Sequence, residues 1–436
     1  MSASILMIIT TILLVLVAIA NASNVTPLSI KLSLTDTEGE MQVTWFTLDF
    51  PSSPCVQFDN KGFNPSEVTG NIITGRIVEF TQKLWSGYTS IAVISPLAAQ
   101  QTYYYAVGNK ETGVWSVLYN FTTSTFPNTN SQVTPFSFVT YGDMGAVVDN
   151  STVRNIVKTL DQFQFALHVG DIAYADLQDG DEGIYGNQTI WNEFLEEITP
   201  ISATIPYMTC PGNHDIFNGN NSNYQNTFMM PTGSDNGDWY SFDFNGVHFV
   251  GISSETDYSP SSEQVIWLTN ELQTYRNSNP DGWLIVFAHR PLYCTSNLDW
   301  CMNDTNRISL INSLEDLFYK YNVNFFIGGH SHEYERMLPV YKSQVYGSNA
   351  NPQATVYVVI GTAGCQEGLN TGFQPLPVYS SGVRLLETGY AKVSFLDSYH
   401  MQWQFIQDKT DTVLDSVFHK QLHNLVWTIA ILVNQT

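Results

Sequence analysis

Five times between residues 136 and 332 a strand-like apolar run breaks off at residue types that bind metal ions. The stretches read "FSFVTYGD", "FALHVGD", "YMTCPGNHD", "WLIVFAHR" and "NFFIGGHSH". They close on Asp143, on Asp171, on Asn213 with His214, on His289, and on His330 with His332; Tyr174 follows Asp171 by three residues. A single Gly-Asp after a strand is an ordinary turn. Five successive strand ends carrying oxygen or imidazole donors are not, because packing gives loops no reason to repeat those types. The interval from Asp143 to Asp171 fits one strand–helix–strand unit, which puts both on the same edge of a sheet.

The apolar runs alternate with helix-like stretches such as "STVRNIVKTLDQF" and "SEQVIWLTNELQTY". That rhythm is α/β, and in such folds ligands sit beyond the C-terminal ends of the strands. The chain before it is different. "MQVTWFT", "SIAVIS", "TYYYAVG" and "SVLYNFTT" follow one another with turns and no convincing helix, which predicts an all-β sandwich. The expected organisation is a β-domain over 23–126, a polar linker at 127–135, the α/β unit over 136–420 and an apolar tail at 421–436. The tail is too short to span a bilayer and reads as a last strand or an interfacial segment.

The chain starts with an apolar run followed by Ala20-Asn21-Ala22, a small-x-small pattern that marks 1–22 as a signal peptide, with an uncleaved anchor as the alternative. Sequons at Asn24, Asn120, Asn150, Asn187, Asn220, Asn303 and Asn434 are candidate glycosylation sites and suit a secreted or lysosomal glycoprotein. Of five cysteines, Cys294 and Cys301 can close a short disulfide loop; Cys55, Cys210 and Cys365 are left as buried thiols or with open pairing. Acids outnumber bases 40 to 17, a net charge of −23, which argues against nucleic acid or an anionic membrane as partner. A site for an anionic substrate in such a chain must make its own positive field, and bound metal would do that.

Seven donors are too many for one tetrahedral zinc but suit two ions sharing a carboxylate. A phenolate such as Tyr174 favours a hard trivalent ion, Fe(III), while Asn and His suit a divalent one. His168, His248, His400, His419 and His423 lack ligand spacing and are expected to be structural.

The ordered set "GD…GDIAY…GNHD…FAH…GGHSHEYER" resembles the calcineurin-like metallophosphoesterases, and Tyr174 in GD-x-x-Y resembles the purple acid phosphatases in particular. The resemblance covers nearly the whole mature chain. It implies a four-layer α/β/β/α sandwich preceded by a fibronectin-III-like β-domain. It assigns Asp143, Asp171, Tyr174 and His332 to Fe(III), and Asp171, Asn213, His289 and His330 to a divalent metal (Zn, Fe or Mn), with Asp171 bridging. Asn213 and His214 would bind the substrate phosphate, and His214 would act as proton donor, alone or sharing the role with a metal-bound water or another group. The implied reaction is hydrolysis of small phosphate monoesters by metal-hydroxide attack at acid pH.

Plant members carry a further histidine after the "FAH" block. This chain continues "HRPLYCTSNLDWCMN" and is more similar to animal members, so Arg290 and Tyr293 are candidates to shape the pocket, with a structural ion pair as the alternative for Arg290. Competing readings are a phosphodiesterase or nucleotide pyrophosphatase on the same scaffold, and a non-catalytic binding glycoprotein. The oligomeric state is open, a homodimer among the options.

Overall fold

The computed structural model describes residues 24–421, apart from 69, 83–84, 127–131, 148–149, 177–186, 217–220, 232–236 and 303. The expected signal peptide, most of the linker, the tail beyond 421, the sequons at Asn220, Asn303 and Asn434, and His423 lie outside the described residues.

In the β-domain two sheets share one core, and the strands Leu28–Ser33, Met41–Thr47 and Pro54–Asp59 are buried along nearly their whole length. One sheet runs in the order Leu28–Ser33, Met41–Thr47, Trp85–Ile94, Arg76–Gln82. The other runs Asn71–Thr74, Pro54–Asp59, Thr102–Asn109, Val114–Trp115, and Tyr119–Thr122 also pairs with Thr102–Asn109. Trp45, Val56, Tyr105 and Phe121 fill the space between them. This β-domain is fastened to the helix Gln188–Ser202 by polar bonds. The Tyr105 hydroxyl donates to Ala203 O (2.7 Å), Ser202 Oγ to Ile30 O (2.8 Å), and both the amide and the hydroxyl of Ser29 to Glu196.

The remainder contains two larger sheets. The six-stranded sheet runs Tyr207–Thr209, Ala166–His168, Phe136–Tyr141, Gly389–Phe395, His400–Gln407, Thr412–Lys420, with its first three strands parallel. The seven-stranded sheet runs Tyr240–Phe244, Val247–Gly251, Trp283–Phe287, Phe325–Gly328, Val356–Ile360, Tyr334–Met337, Ser380–Leu385, with a parallel block from Val247 to Ile360. Residue alternation decides the layering. Phe249, Ile285, Phe325 and Val358 face Phe138 and Phe165 of the other sheet in one core. Their neighbours Val250, Leu284, Val286, Phe326 and Tyr357 face the helices Glu263–Ser278 and Thr305–Lys320 in a second. Helices Ser151–Lys158 and Gln188–Ser202 cover the outer face of the six-stranded sheet. The architecture is the expected α/β/β/α sandwich with a β-domain in front.

Two expectations change. The sequon residue Asn150 caps the helix Ser151–Lys158: Oδ1 accepts from the amides of Thr152 and Val153, and Nδ2 donates to Ala363 O. With that amide buried (4% exposed) it offers no room for a glycan. Asn187 likewise caps Gln188–Ser202 through Oδ1, whereas Asn24 and Asn120 are exposed. The ligand-bearing strand ends are also not consecutive. Val247–Gly251 intervenes between the Asn213 and His289 segments and ends without a donor.

Candidate metal centre

The two sheets meet at the C-terminal ends of their parallel strands, stitched by Gly142 N–H to Ile360 O (2.9 Å) and Ala363 N–H to Gly142 O (3.0 Å). The six-stranded sheet delivers Asp143, Asp171, Tyr174, Asn213 and His214; the seven-stranded sheet delivers His289, His330 and His332. Asp143, Asp171, Tyr174 and His330 all have left-handed backbone, with φ of 61°, 49°, 51° and 66°. Four such non-glycine residues at one locus are strain that the surrounding fold must impose. The flanking glycines are needed for close approach. A Cβ at Gly212 would run into Asp171 Oδ1, and one at Gly329 into Asp143 Oδ2.

Seven side chains converge. Asp171 Oδ2 lies 3.0 Å from His289 Nε2, which is 3.2 Å from Asn213 Oδ1. Donor atoms of Asp171, His289 and His330 all lie within 4.8 Å of one another. On the other side, Tyr174 OH is 3.2 Å from Asp143 Oδ1 and 2.9 Å from His332 Nε2, and His332 Nε2 is 3.3 Å from Asp143 Oδ1. Backbone carbonyls orient two of the imidazoles. His289 Nδ1–H donates to Val169 O (3.0 Å) and His332 Nδ1–H to Gly368 O (2.7 Å), so both aim Nε2 inward.

The charges are those of a site that protons hold open. Burial would raise the Asp171 carboxyl, but His289, His214 and His330 outweigh it and keep the group ionised. Burial would lower His289 and His332; the carboxylates of Asp171 and Asp143 overturn that, raising His289 to about 9 and His332 to about 12. The Tyr174 phenol is pushed well above its usual range by burial and by Asp143 and Asp171, so it stays neutral and donates to Asp143. Only a cation of high charge in its place would reverse that preference. This buried N/O set therefore fits hard or borderline cations, whose binding would displace the protons.

A cleft of about 430 Å³ opens onto Asp171, Asn213, His214, His330 and His332. A larger cavity of about 640 Å³, between the helices Ser151–Lys158 and Gln188–Ser202, holds none of the expected donors.

Comparison with known proteins agrees with this geometry. Residues 136–334 match the family described as calcineurin-like phosphoesterase, residues 27–123 the purple acid phosphatase N-terminal domain, and residues 354–416 the iron/zinc purple acid phosphatase-like protein C family. Acid phosphatase type 7 of Mus musculus is 33% identical over 420 residues, 91% of each chain. The chain belongs to the purple acid phosphatase family. Purple acid phosphatase 22 of Arabidopsis thaliana is 27% identical over 90% of this chain and 85% of its own. The purple acid phosphatase PPD1 from yellow lupin (Lupinus luteus) seeds superposes with a TM-score of 0.78 at 24% identity, covering 92% of this chain and 75% of that one.

Around this family core lie residues that sequence reading did not single out. Asp176 Oδ2 accepts from His214 Nδ1–H (2.7 Å), and the His214 ring stacks on Tyr174 with centroids 4.3 Å apart. Burial opposes the His214 charge, but the Asp176 bond and the charges of Asp171, Asp176 and Glu367 raise it to about 9. Glu367 Oε2 stands 3.9 Å from both His214 Nε2 and His332 Nε2, and the buried Cys365 thiol 3.8 Å from His332 Nε2. The only sequence signal for these was a sixth apolar run, "TVYVVIGTAG", ending in glycine just before Cys365.

Arg290 pairs with Glu255 (2.8 Å) and donates from Nη1 to His330 Nε2 (2.9 Å), so it borders the cleft while being largely neutralised. Tyr293 does not shape the pocket. It points the other way, donating to Glu315 and packing against Tyr357 and Tyr379 in the outer core. Cys294 and Cys301 are bonded. The remaining described histidines are structural: His168 meets Tyr207, His248 pairs with Asp243 and Glu271, His400 with Asp397, and His419 packs on Phe325.

Proposed function

We propose that this protein is an acid phosphatase hydrolysing small phosphate monoesters. The observation that carries the reading is the convergence of seven N/O donors from two sheets on the shared Asp171. In it Asp143, Asp171, Tyr174 and His332 would hold Fe(III), and Asp171, Asn213, His289 and His330 a divalent ion (Zn, Fe or Mn). When bound, such a pair supplies Lewis acidity and an activated water for in-line displacement at phosphorus.

The chain's own residues do the rest. Asn213 and His214 face the cleft and are placed to receive phosphate oxygens. His214, held at Nδ1 by Asp176 and with Nε2 3.9 Å from both Asp171 and Glu367, keeps a proton for the leaving alkoxide at acid to neutral pH. It would fill the role that the absent downstream histidine has in plant members. Arg290 borders the same space, with Glu255 limiting its charge.

The leader-like N-terminus, the exposed sequons Asn24 and Asn120, and the Cys294–Cys301 disulfide support a secreted or lysosomal location. Among the described residues no helix is long and apolar enough to cross a membrane.

Metal analysis and a visible spectrum of the purified protein test the centre. Iron with a second metal and a visible band lost in Tyr174→Phe are expected; two divalent ions and no colour would remove the ferric assignment. Parallel rates on monoester and diester substrates test the reaction, and a diester preference would replace it with the phosphodiesterase reading.

A further inference from the structure

Beside the metal donors, the cleft is walled by Leu298, Trp300 and Leu369. Trp300 is 43% exposed, and its ring centroid is 6.3 Å from that of His330 at 58°. An aromatic face on the wall of a cleft whose floor holds convergent polar donors is the lining that small-molecule sites use. The segment that carries it is fixed from several sides. The Cys294–Cys301 disulfide closes it immediately after Trp300. Asn297 N–H donates to Gly372 O (3.0 Å) and Gln374 N–H to Thr295 O (2.7 Å), tying it to the loop that carries Leu369. Thr295 is anchored in turn by its amide and hydroxyl on the buried Glu335, and Arg384 bridges Thr295 Oγ1 and Gln374 O. The backbone that presents the ring is therefore fixed before any ligand arrives.

The charges around it narrow the ligand. Among the described residues no lysine or arginine lines the cleft, Glu367 stands at its mouth, and Arg290, which reaches the cleft residue His330, is paired with Glu255. A leaving group with further phosphates would meet Glu367 without a compensating cation. A flat uncharged one would meet Trp300, Leu298 and Leu369.

We infer that Trp300 forms a leaving-group subsite for aryl phosphates, the class that includes phosphotyrosine side chains. This rests on the phosphatase reading above and specifies its substrate. The test uses the metal-loaded full chain. The ratio of kcat/KM for phenyl phosphate to that for propyl phosphate is measured in the wild type, Trp300→Ala and Trp300→Phe. Comparing ratios between variants cancels the intrinsic difference in leaving-group reactivity. The ratio is expected to fall about ten-fold in the alanine variant and to recover largely in the phenylalanine one.

Calorimetric binding of phenylphosphonate against methylphosphonate reads the same subsite without turnover, and its preference for the phenyl compound should weaken in parallel. Equal losses on both substrates, or an unchanged ratio and phosphonate preference, would overturn the subsite. If the wild type hydrolyses neither ester, the phosphatase reading fails, and the phosphonate preference still decides whether Trp300 recognises an aromatic ring.

Discussion

The floor of the cleft and its rim are held to different tolerances. On the floor, Asp143 lies two residues past Tyr141, Asp171 three past His168 and His289 two past Phe287, each at the end of a paired strand. These donors are almost wholly buried, and four residues there accept left-handed backbone to meet one another. At the rim, Asp176 and Glu367 come from connecting segments and Trp300 from the short helix Asp299–Met302; all keep partial exposure, Asp176 is bonded to His214, and the Cys294–Cys301 disulfide braces the segment of Trp300. The floor can do one kind of chemistry, because its donor types and spacing suit cations and little else. The rim decides what is brought to that chemistry and with which proton.

The comparison is broken most severely at Asp171, the carboxylate proposed to be shared. Asp171→Asn should lose both metals and lower kcat/KM by about 10³-fold or more, since one substitution removes a donor from each half of the centre. Metal analysis of the variant checks it, and retention of one full equivalent would mean that Asp171 does not bridge. At the rim, His214→Ala should keep both metals and lose about 10²- to 10³-fold in kcat. Asp176→Asn is the subtler version. The Asp176 bond is the first of the influences that raise His214, so its loss lowers that pKa. The alkaline limb of the rate profile, where His214 gives up its proton, should then move to lower pH with metal content unchanged. A limb that stays put would exclude His214 as the donor.

A weaker effect is expected from opening the rim loop. Replacing Cys294 and Cys301 with serine together removes a short cross-link worth about 2–3 kcal/mol by loop-closure entropy. Thermal denaturation should shift down, the aryl-to-alkyl preference should shrink, and metal stoichiometry should hold. Loss of metal in this variant would show that rim and floor are one cooperative unit.

The same division explains what could be read from the sequence. Ligation restricts a position to a few residue types, and a tight turn beside it requires glycine. Asp143, Asp171, Tyr174, Asn213, His289, His330 and His332 therefore stand out, and the layered fold follows from the alternation of their strands with helices. Asp176 stands two residues past Tyr174 yet looks like any solvated acid, because its partner His214 is 38 residues away and only folding joins them. Trp300 sits in the four-residue helix Asp299–Met302 and Glu367 in a loop, both too short to show periodicity. Tyr293 was misleading because it is only three residues from Arg290, while the chain turns between them and sends it to the opposite face. Asn150 satisfies the sequon rule, but helix capping uses the same side chain.

Acid pH sets floor and rim against each other. His214 at the rim needs its proton, whereas His168 and His419 beneath the floor are buried and neutral, each lowered by burial from 6.5 to about 3. Their folded pKa lies below the unfolded one, so as pH falls from 6.5 toward 3 the unfolded chain takes up protons that the folded chain refuses. Stability therefore drops across that window, by about 2 kcal/mol per histidine at pH 5. His419 packs edge-on to Phe325, at the start of the strand that leads to His330. His419→Phe should flatten the fall in the unfolding midpoint between pH 7 and 5 while leaving the rim's rate profile in place. If the midpoint falls as steeply as before, the acid sensitivity resides elsewhere, and His168, bonded to Tyr207 next to the Asp171 turn, is the group to test next.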